Sequence, residues 1–97
     1  MEQYTETRLY LRRRVLKEGK IVIHPPSGTI DVTIRNLGLA GAKLELPPTV
    51  QLPDKFDLIN VSDGNVTPAE VMWRKDNFVG VHFCGKSKKL RVHGIHR

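Results

Sequence analysis

Apolar and polar residues alternate along most of the chain. Between positions 30 and 34, Ile30, Val32 and Ile34 are separated by Asp31 and Thr33. Successive side chains of a strand point to opposite sides, so a period of two marks a strand with one buried face. The same alternation recurs over 42–46 and 79–83. The pattern predicts a protein built of short strands that each contribute one face to a core.

Turn-forming residues separate these runs. Proline, glycine, asparagine and aspartate cluster at 24–28, 36–41, 47–53, 62–65 and 75–77, which predicts a turn or loop at each place. Short strands with short connections are typical of a closed barrel or a small sandwich. A barrel is favoured because it leaves no exposed sheet edge.

The alternation also predicts which side chains are buried. Trp73 follows Ala69 and Val71 at a spacing of two, so we assign its side chain to the core as well. The remaining expected core residues are Ile30, Val32, Ile34, Leu44, Val71, Val81 and Phe83.

Length and composition limit the possible classes of protein. The chain has 97 residues, 39% of them hydrophobic and 27% charged, as expected for one globular domain with a modest core. It contains no apolar run long enough to cross a bilayer, and we expect no signal peptide. The single cysteine, Cys84, excludes an internal disulfide. These features favour a cytoplasmic protein.

Positive charge is concentrated near the start of the chain. The formal net charge is +6 and the pI about 9.8, which favours an anionic partner such as a nucleotide, a nucleic acid or a membrane surface. Arginines and a lysine cluster over 8–17. The segment is either a solvated basic arm or a phosphate clamp, because the planar fork of arginine matches phosphate oxygens.

Residues suited to catalysis or metal binding do not form a convincing group. His82 and Cys84, or His93 and His96, have spacings that zinc ligands use, but one cysteine is a weak anchor. The carboxylates show no paired arrangement suited to hydrolysis. We therefore expect neither an enzyme nor a metal or cofactor. Aromatic residues make up only 6% of the chain, which disfavours binding of single strands by base stacking.

Two short motifs in order resemble the PilZ domain family of bacteria. Arg8-x-x-x-Arg12 is similar to the family's R-x-x-x-R, and Asn36-x-Gly38-x-x-Gly41 to its [D/N]-x-S-x-x-G. The resemblance extends over about residues 8–84 and includes the stretches 14–19, 29–31, 35–37, 71–74 and 77–83. It implies an all-β fold, a six-stranded antiparallel β-barrel, that binds the second messenger cyclic di-GMP.

The resemblance also implies a binding site. The two motif arginines would close over the ligand and contact its phosphates and guanines, and the turn would meet a guanine edge. Glycine at position 38 replaces the usual serine and removes a hydroxyl, which lowers affinity up to about tenfold for one lost neutral hydrogen bond. The candidate nucleotide-binding residues are Arg8, Arg12, Arg13, Asn36, Gly38 and Gly41.

The expected organisation is a flexible basic arm over 1–14, a barrel over 15–84 and a basic tail over 85–97 that forms a short helix or stays mobile. The expected function is a cyclic di-GMP receptor that relays the signal to a downstream protein as its arm becomes ordered. Two alternatives remain open. One is a degenerate PilZ domain that acts as an adaptor without ligand. The other is a small basic barrel that binds RNA, although we expect nucleic acid to be an unlikely partner.

Overall fold

The computed structural model describes residues 13–23 and 28–89. Seven strands account for most of these residues, and every pairing between them is antiparallel. The described ranges include no helix, and so none that could span a membrane. The strands are β1 Arg13–Val22, β2 Thr29–Leu37, β3 Gly41–Glu45, β4 Lys55–Asn60, β5 Asn65–Lys75, β6 Phe78–Phe83 and β7 Lys88–Lys89.

Six of the strands close into a barrel. Their order is β1-β2-β3-β6-β5-β4, and β4 pairs back with β1 through Gly19 to Val22. β7 is an additional strand that pairs with Asn65 and Val66 at the start of β5. The predicted six-stranded antiparallel β-barrel is confirmed.

Strands extend beyond both ends of the barrel range 15–84 that the sequence predicts. β1 begins at Arg13, which lies opposite Leu37, and Arg14 lies opposite Asn36. Two residues assigned to the basic arm therefore have the backbone of a strand. At the other end, residues 88 and 89 form β7, so this part of the basic tail is extended and not helical.

The barrel interior is filled by side chains from the six long strands. Four of the expected core residues, Val32, Ile34, Leu44 and Val81, are buried. Ile30, Val71 and Phe83 pack against the core but are only partly buried. The buried hydrophobic residues are Ile21, Val32, Ile34, Ala42, Leu44, Leu46, Phe56, Leu58, Ala69, Val79 and Val81.

The assignment of Trp73 to the core is wrong. Its side chain is 44% exposed, and it lies opposite Gly80 on the outer face of the sheet. The pairing of β5 with β6 shifts between Val71 and Trp73, where Met72 is an extra residue. Such a β-bulge moves every later side chain of the strand to the other face. Alternation of residue types does not reveal this shift.

Two more bulges lie on neighbouring strands. β1 shifts register against β2 between Arg14 and Lys17, and β2 shifts against β3 between Ile34 and Asn36. Bulges bend a strand and increase its twist. Both lie in the half of the barrel that carries the 36–41 turn.

The loop that follows β3 is fixed to the end of β5. The guanidinium of Arg74 donates to the carbonyl oxygens of Val50 at 2.7 Å and Pro47 at 3.0 Å. The amide of Val71 donates to the carbonyl oxygen of Asp54 at 2.8 Å. The loop thus satisfies the Val71 amide beyond the reach of β4, which ends its pairing at Glu70, and the Arg74 side chain satisfies two carbonyl oxygens of the loop.

Gly41 is required because two strands approach closely. A Cβ at this position would overlap the carbonyl oxygen of Val81 on β6. Among the described glycines, positive φ angles belong to Gly28 and Gly64, at 108° and 74°. Glycine is therefore needed at position 41 because of the contact with β6 and not because of a left-handed backbone angle.

We predict that Gly41→Ala lowers the free energy of unfolding by about 1–3 kcal/mol, as forced overpacking typically does. The added methyl group must push β3 away from a backbone oxygen that cannot rotate aside. Urea unfolding followed by circular dichroism measures the change. Leu39→Ala, at an exposed position of the same turn, is the control and should change stability by less than about 0.5 kcal/mol. Equal urea midpoints for the Gly41 variant and the unmodified protein would contradict the close approach of β3 and β6 at this position.

Candidate functional site

One row of residues crosses five neighbouring strands on the outside of the barrel. Arg14 lies opposite Asn36, Asn36 opposite Lys43, Lys43 opposite Gly80, and Gly80 opposite Trp73. Directly opposed residues of antiparallel strands project to the same face of the sheet. We call these five residues the outer row. It joins two cations, an amide and an indole on one surface.

The neighbours of the row on β3 and β6 show that it faces outward. On β3, Lys43 stands between Ala42 and Leu44, which are both buried. On β6, Gly80 stands between Val79 and Val81, which are also buried. Since side chains alternate along a strand, the residue between two core positions must face the outside.

A groove of about 400 Å³ lies along the first part of the outer row. Two arginines and a lysine line it together with Asn36. Its composition suits an anionic ligand that also carries a polar edge for the amide. The lining residues are Arg14, Val15, Leu16, Arg35, Asn36, Lys43 and Phe78.

The three cations of the groove have different surroundings. Arg35 Nη1 lies 2.6 Å from Glu45 Oε1, so this guanidinium is already paired with a carboxylate. The Lys43 amine lies 4.9 Å from the centre of the Phe78 ring, a cation–π arrangement that positions the amine without neutralising it. Arg14 is exposed on the β1 side of the groove. Lys43 and Arg14 therefore offer more positive charge to an incoming anion than Arg35 does.

Trp73 closes the other end of the outer row. Its indole lies over Gly80, and a Cβ at Gly80 would overlap the indole nitrogen. Together with Gly41, Met72 and other residues, the indole borders a shallow pocket of about 190 Å³. An indole that packs against a backbone and is partly exposed can stack on a planar ring.

The structure places the motif residues at three neighbouring sites. Asn36 lines the groove, and Gly41 lines the pocket beside Trp73. Gly38 lies at the end of the barrel, where its amide donates to the Gly41 carbonyl oxygen at 3.0 Å. Arg8 and Arg12 lie outside the described residues, as does the side chain of Arg13.

Sequence reasoning missed three residues of this surface. Arg14 was visible as part of the basic run but was not separated from it. Lys43 alternates with core residues, which was a usable signal for an outward cation. Trp73 gave a misleading signal, because the bulge at Met72 reverses the face that the alternation predicts.

The candidate zinc ligands form no site in the described part of the chain. There, no group of three histidine, cysteine, aspartate or glutamate side chains stands close enough to hold a metal ion. His82 and Cys84 are both exposed. His93 and His96 lie outside the described residues.

Comparison with known protein families gives one match. The model of the PilZ domain matches residues 6–93. No curated protein and no solved structure matches the chain significantly. PilZ domains are binding and adaptor domains and not enzymes. Because the match covers nearly the whole chain, the protein belongs to the PilZ domain family, a family of cyclic di-GMP-binding receptor domains.

Proposed function

We propose that this protein is a non-enzymatic receptor that binds cyclic di-GMP between the outer row and the arginines at 8 and 12. The outer row is the observation that carries the proposal. The ligand has two anionic phosphates and two guanine bases. Arg14 and Lys43 supply positive charge for phosphates, Asn36 offers an amide to a base edge, and Trp73 offers a surface for stacking.

Chain connectivity brings the motif arginines within reach of the groove. β1 begins at Arg13 beside the end of β2, so Arg12 is attached directly at this point. Arg8 is five residues from Arg13, and five extended residues span at most about 17 Å. Both guanidinium groups can therefore reach a ligand that lies against Asn36.

The proposed signal is a change in which conformations of the arm are populated. Binding of two phosphates favours those arm conformations that place the arginines over the ligand. The covered ligand and the ordered arm then form a new surface on the side of the barrel. A downstream protein that binds this surface would respond to the ligand level.

Two rival functions make different predictions in solution. An adaptor without ligand, which glycine at position 38 favours, gives no heat when titrated with cyclic di-GMP. An RNA-binding barrel, which the net charge favours, binds short single-stranded RNA with an affinity that falls steeply as salt is raised. Calorimetric titrations with cyclic di-GMP and with short RNA, each at two salt concentrations, separate the three functions.

We predict that Arg8→Ala and Arg12→Ala each weaken binding of cyclic di-GMP by more than tenfold. Hydrogen bonds to charged groups contribute about 1.5–3 kcal/mol each. Calorimetry measures the affinity, and thermal unfolding should show little loss of stability. The control is Lys55→Ala, which also removes one positive charge but lies on β4, the barrel strand that the outer row does not cross. Unchanged affinity in both arginine variants would reject the clamp.

We predict that Trp73→Ala weakens cyclic di-GMP binding by about tenfold, since stacking of a base on an aromatic side chain contributes about 1–3 kcal/mol. Trp73 is the single tryptophan, so its fluorescence should also change when the unmodified protein binds the ligand. Gly80→Ala should displace the indole and alter the fluorescence without ligand. Val61→Ala, at an exposed apolar position outside the outer row, is the control for affinity. Equal affinity for Trp73→Ala and Val61→Ala would remove the indole from the proposed site.

We predict that Gly38→Ser tightens cyclic di-GMP binding by a factor of several, and at most about tenfold, through one restored hydrogen bond. The φ angle of Gly38 is not in the left-handed region, so serine adds no backbone strain there. Affinity from calorimetry and the melting temperature are measured together. Weaker binding with unchanged stability would show that the hydroxyl does not meet the ligand.

A further inference from the structure

One end of the barrel is surrounded by three connections. The turn after β2, the turn after β4 and the segment before β7 enclose an opening of about 190 Å³. We call this end the mouth. It is defined by Gly38, Leu39, Asp63, Asn65 and Ser87 among its lining residues.

Two apolar side chains project from turns at the mouth. Leu39 is 84% exposed at the turn between β2 and β3, and Val61 is 40% exposed at the turn between β4 and β5. Single exposed apolar residues are common on protein surfaces and need no explanation. Here two stand on separate turns at the same end of the barrel, so one flat surface that meets this end can contact both.

Positive charge accompanies these two side chains. Lys86, Lys88 and Lys89 are exposed in and just before β7, which lies beside the start of β5 at the mouth. The Lys89 amine donates to the carbonyl oxygen of Asp63 at 2.6 Å and so ties β7 to the turn after β4. In sequence the chain continues from β7 with Arg91 and Arg97.

The opposite end of the barrel differs from the mouth because charges of both signs are mixed there. Among the described residues that line the mouth, Asp63 is the one carboxylate, and it accepts hydrogen bonds from Asn60 and from the Asn65 amide. At the opposite end, Lys20 is paired with Asp31 at 2.7 Å, and this hydrogen bond raises the pKa of Lys20. Near strand ends there, the carboxylates of Asp31, Glu45, Asp54, Asp57 and Asp76 alternate with the cations Lys20, Arg35, Lys55, Arg74 and Lys75.

The turns that carry the apolar residues are held by hydrogen bonds. The Val61 amide donates to the Glu18 carbonyl oxygen at 3.1 Å, and the Gly38 amide donates to that of Gly41 at 3.0 Å. Thr67 is hydrogen-bonded to Ser87 just before β7. Because the backbone is already ordered, little conformational entropy is lost when the mouth binds another surface.

We propose that the mouth docks on the surface of an anionic lipid bilayer. Leu39 and Val61 enter the boundary between headgroups and acyl chains, and the lysines of the β7 segment contact lipid phosphates. A bilayer fits better than a nucleic acid, because exposed aliphatic side chains gain nothing from a phosphate backbone. The docking is a second function, at a surface separate from the proposed nucleotide site on the side of the barrel.

The test uses the full chain and sedimentation with lipid vesicles. One set of vesicles contains phosphatidylcholine alone, and the other contains phosphatidylcholine mixed with phosphatidylglycerol. We expect the protein to sediment with the anionic vesicles only. Leu39→Ser should lower the partition coefficient about tenfold, as should the double variant Lys86→Gln/Lys88→Gln.

Matched control variants lie away from the mouth. Met72→Ser changes an apolar residue that is 62% exposed on the outer face, and Lys55→Gln/Lys75→Gln removes two exposed lysines near the opposite end. Both should change partition by less than about twofold, because neither group reaches a membrane that the mouth contacts. All substituted positions are exposed, and thermal unfolding verifies that each variant is folded.

Three results would overturn the proposal. The first is no sedimentation with anionic vesicles. The second is an equal loss of partition for the mouth variants and their controls, which indicates a general effect of charge or hydrophobicity. The third is an unchanged partition coefficient for Leu39→Ser, together with a Lys86→Gln/Lys88→Gln variant that loses binding to anionic vesicles and to single-stranded RNA by the same factor. That result would make the mouth a surface for any polyanion.

Discussion

Closure of the barrel limits ligand binding to the outer surface of the protein. β4 pairs back with β1 through four residue pairs, from Gly19 opposite Asn60 to Val22 opposite Asp57. The closed sheet leaves an interior that eleven buried hydrophobic side chains fill. A small barrel of this kind has no room for a nucleotide inside. Binding must therefore use the outer face of the sheet or one of the barrel ends. Side chains there do not fill the core, so polar and charged residues can occupy these positions.

Bulges change which side chains the outer face of the sheet presents. A uniform ladder would place Trp73 inside, and the extra residue Met72 turns it outward over Gly80. The shift near Arg35 leaves that arginine paired with Glu45, next to the amide of Asn36. Each bulge costs local pairing but presents a side chain that regular pairing would hide. Three of the five strands that the outer row crosses, β1, β2 and β5, carry such an irregularity.

The two proposed surfaces share one structural element. The turn between β2 and β3 joins Asn36 on the outer row to Leu39 at the mouth, and Gly38 between them donates to Gly41. A ligand that changes this turn would change lipid binding, and lipid would change nucleotide affinity by the same factor. The short hydrogen-bonded turn provides a direct physical connection between the side and the end of the barrel.

The sequence by itself determined the strands, the barrel and the family, because alternation at 30–34, 42–46 and 79–83 records which face of each strand meets the core. It also located Asn36 in a polar site. Tertiary structure decided the rest. The face of Trp73 depends on register against β6, and the need for glycine at position 41 depends on the approach of Val81. Both are contacts between residues distant in sequence, and neither alters the local pattern of residue types.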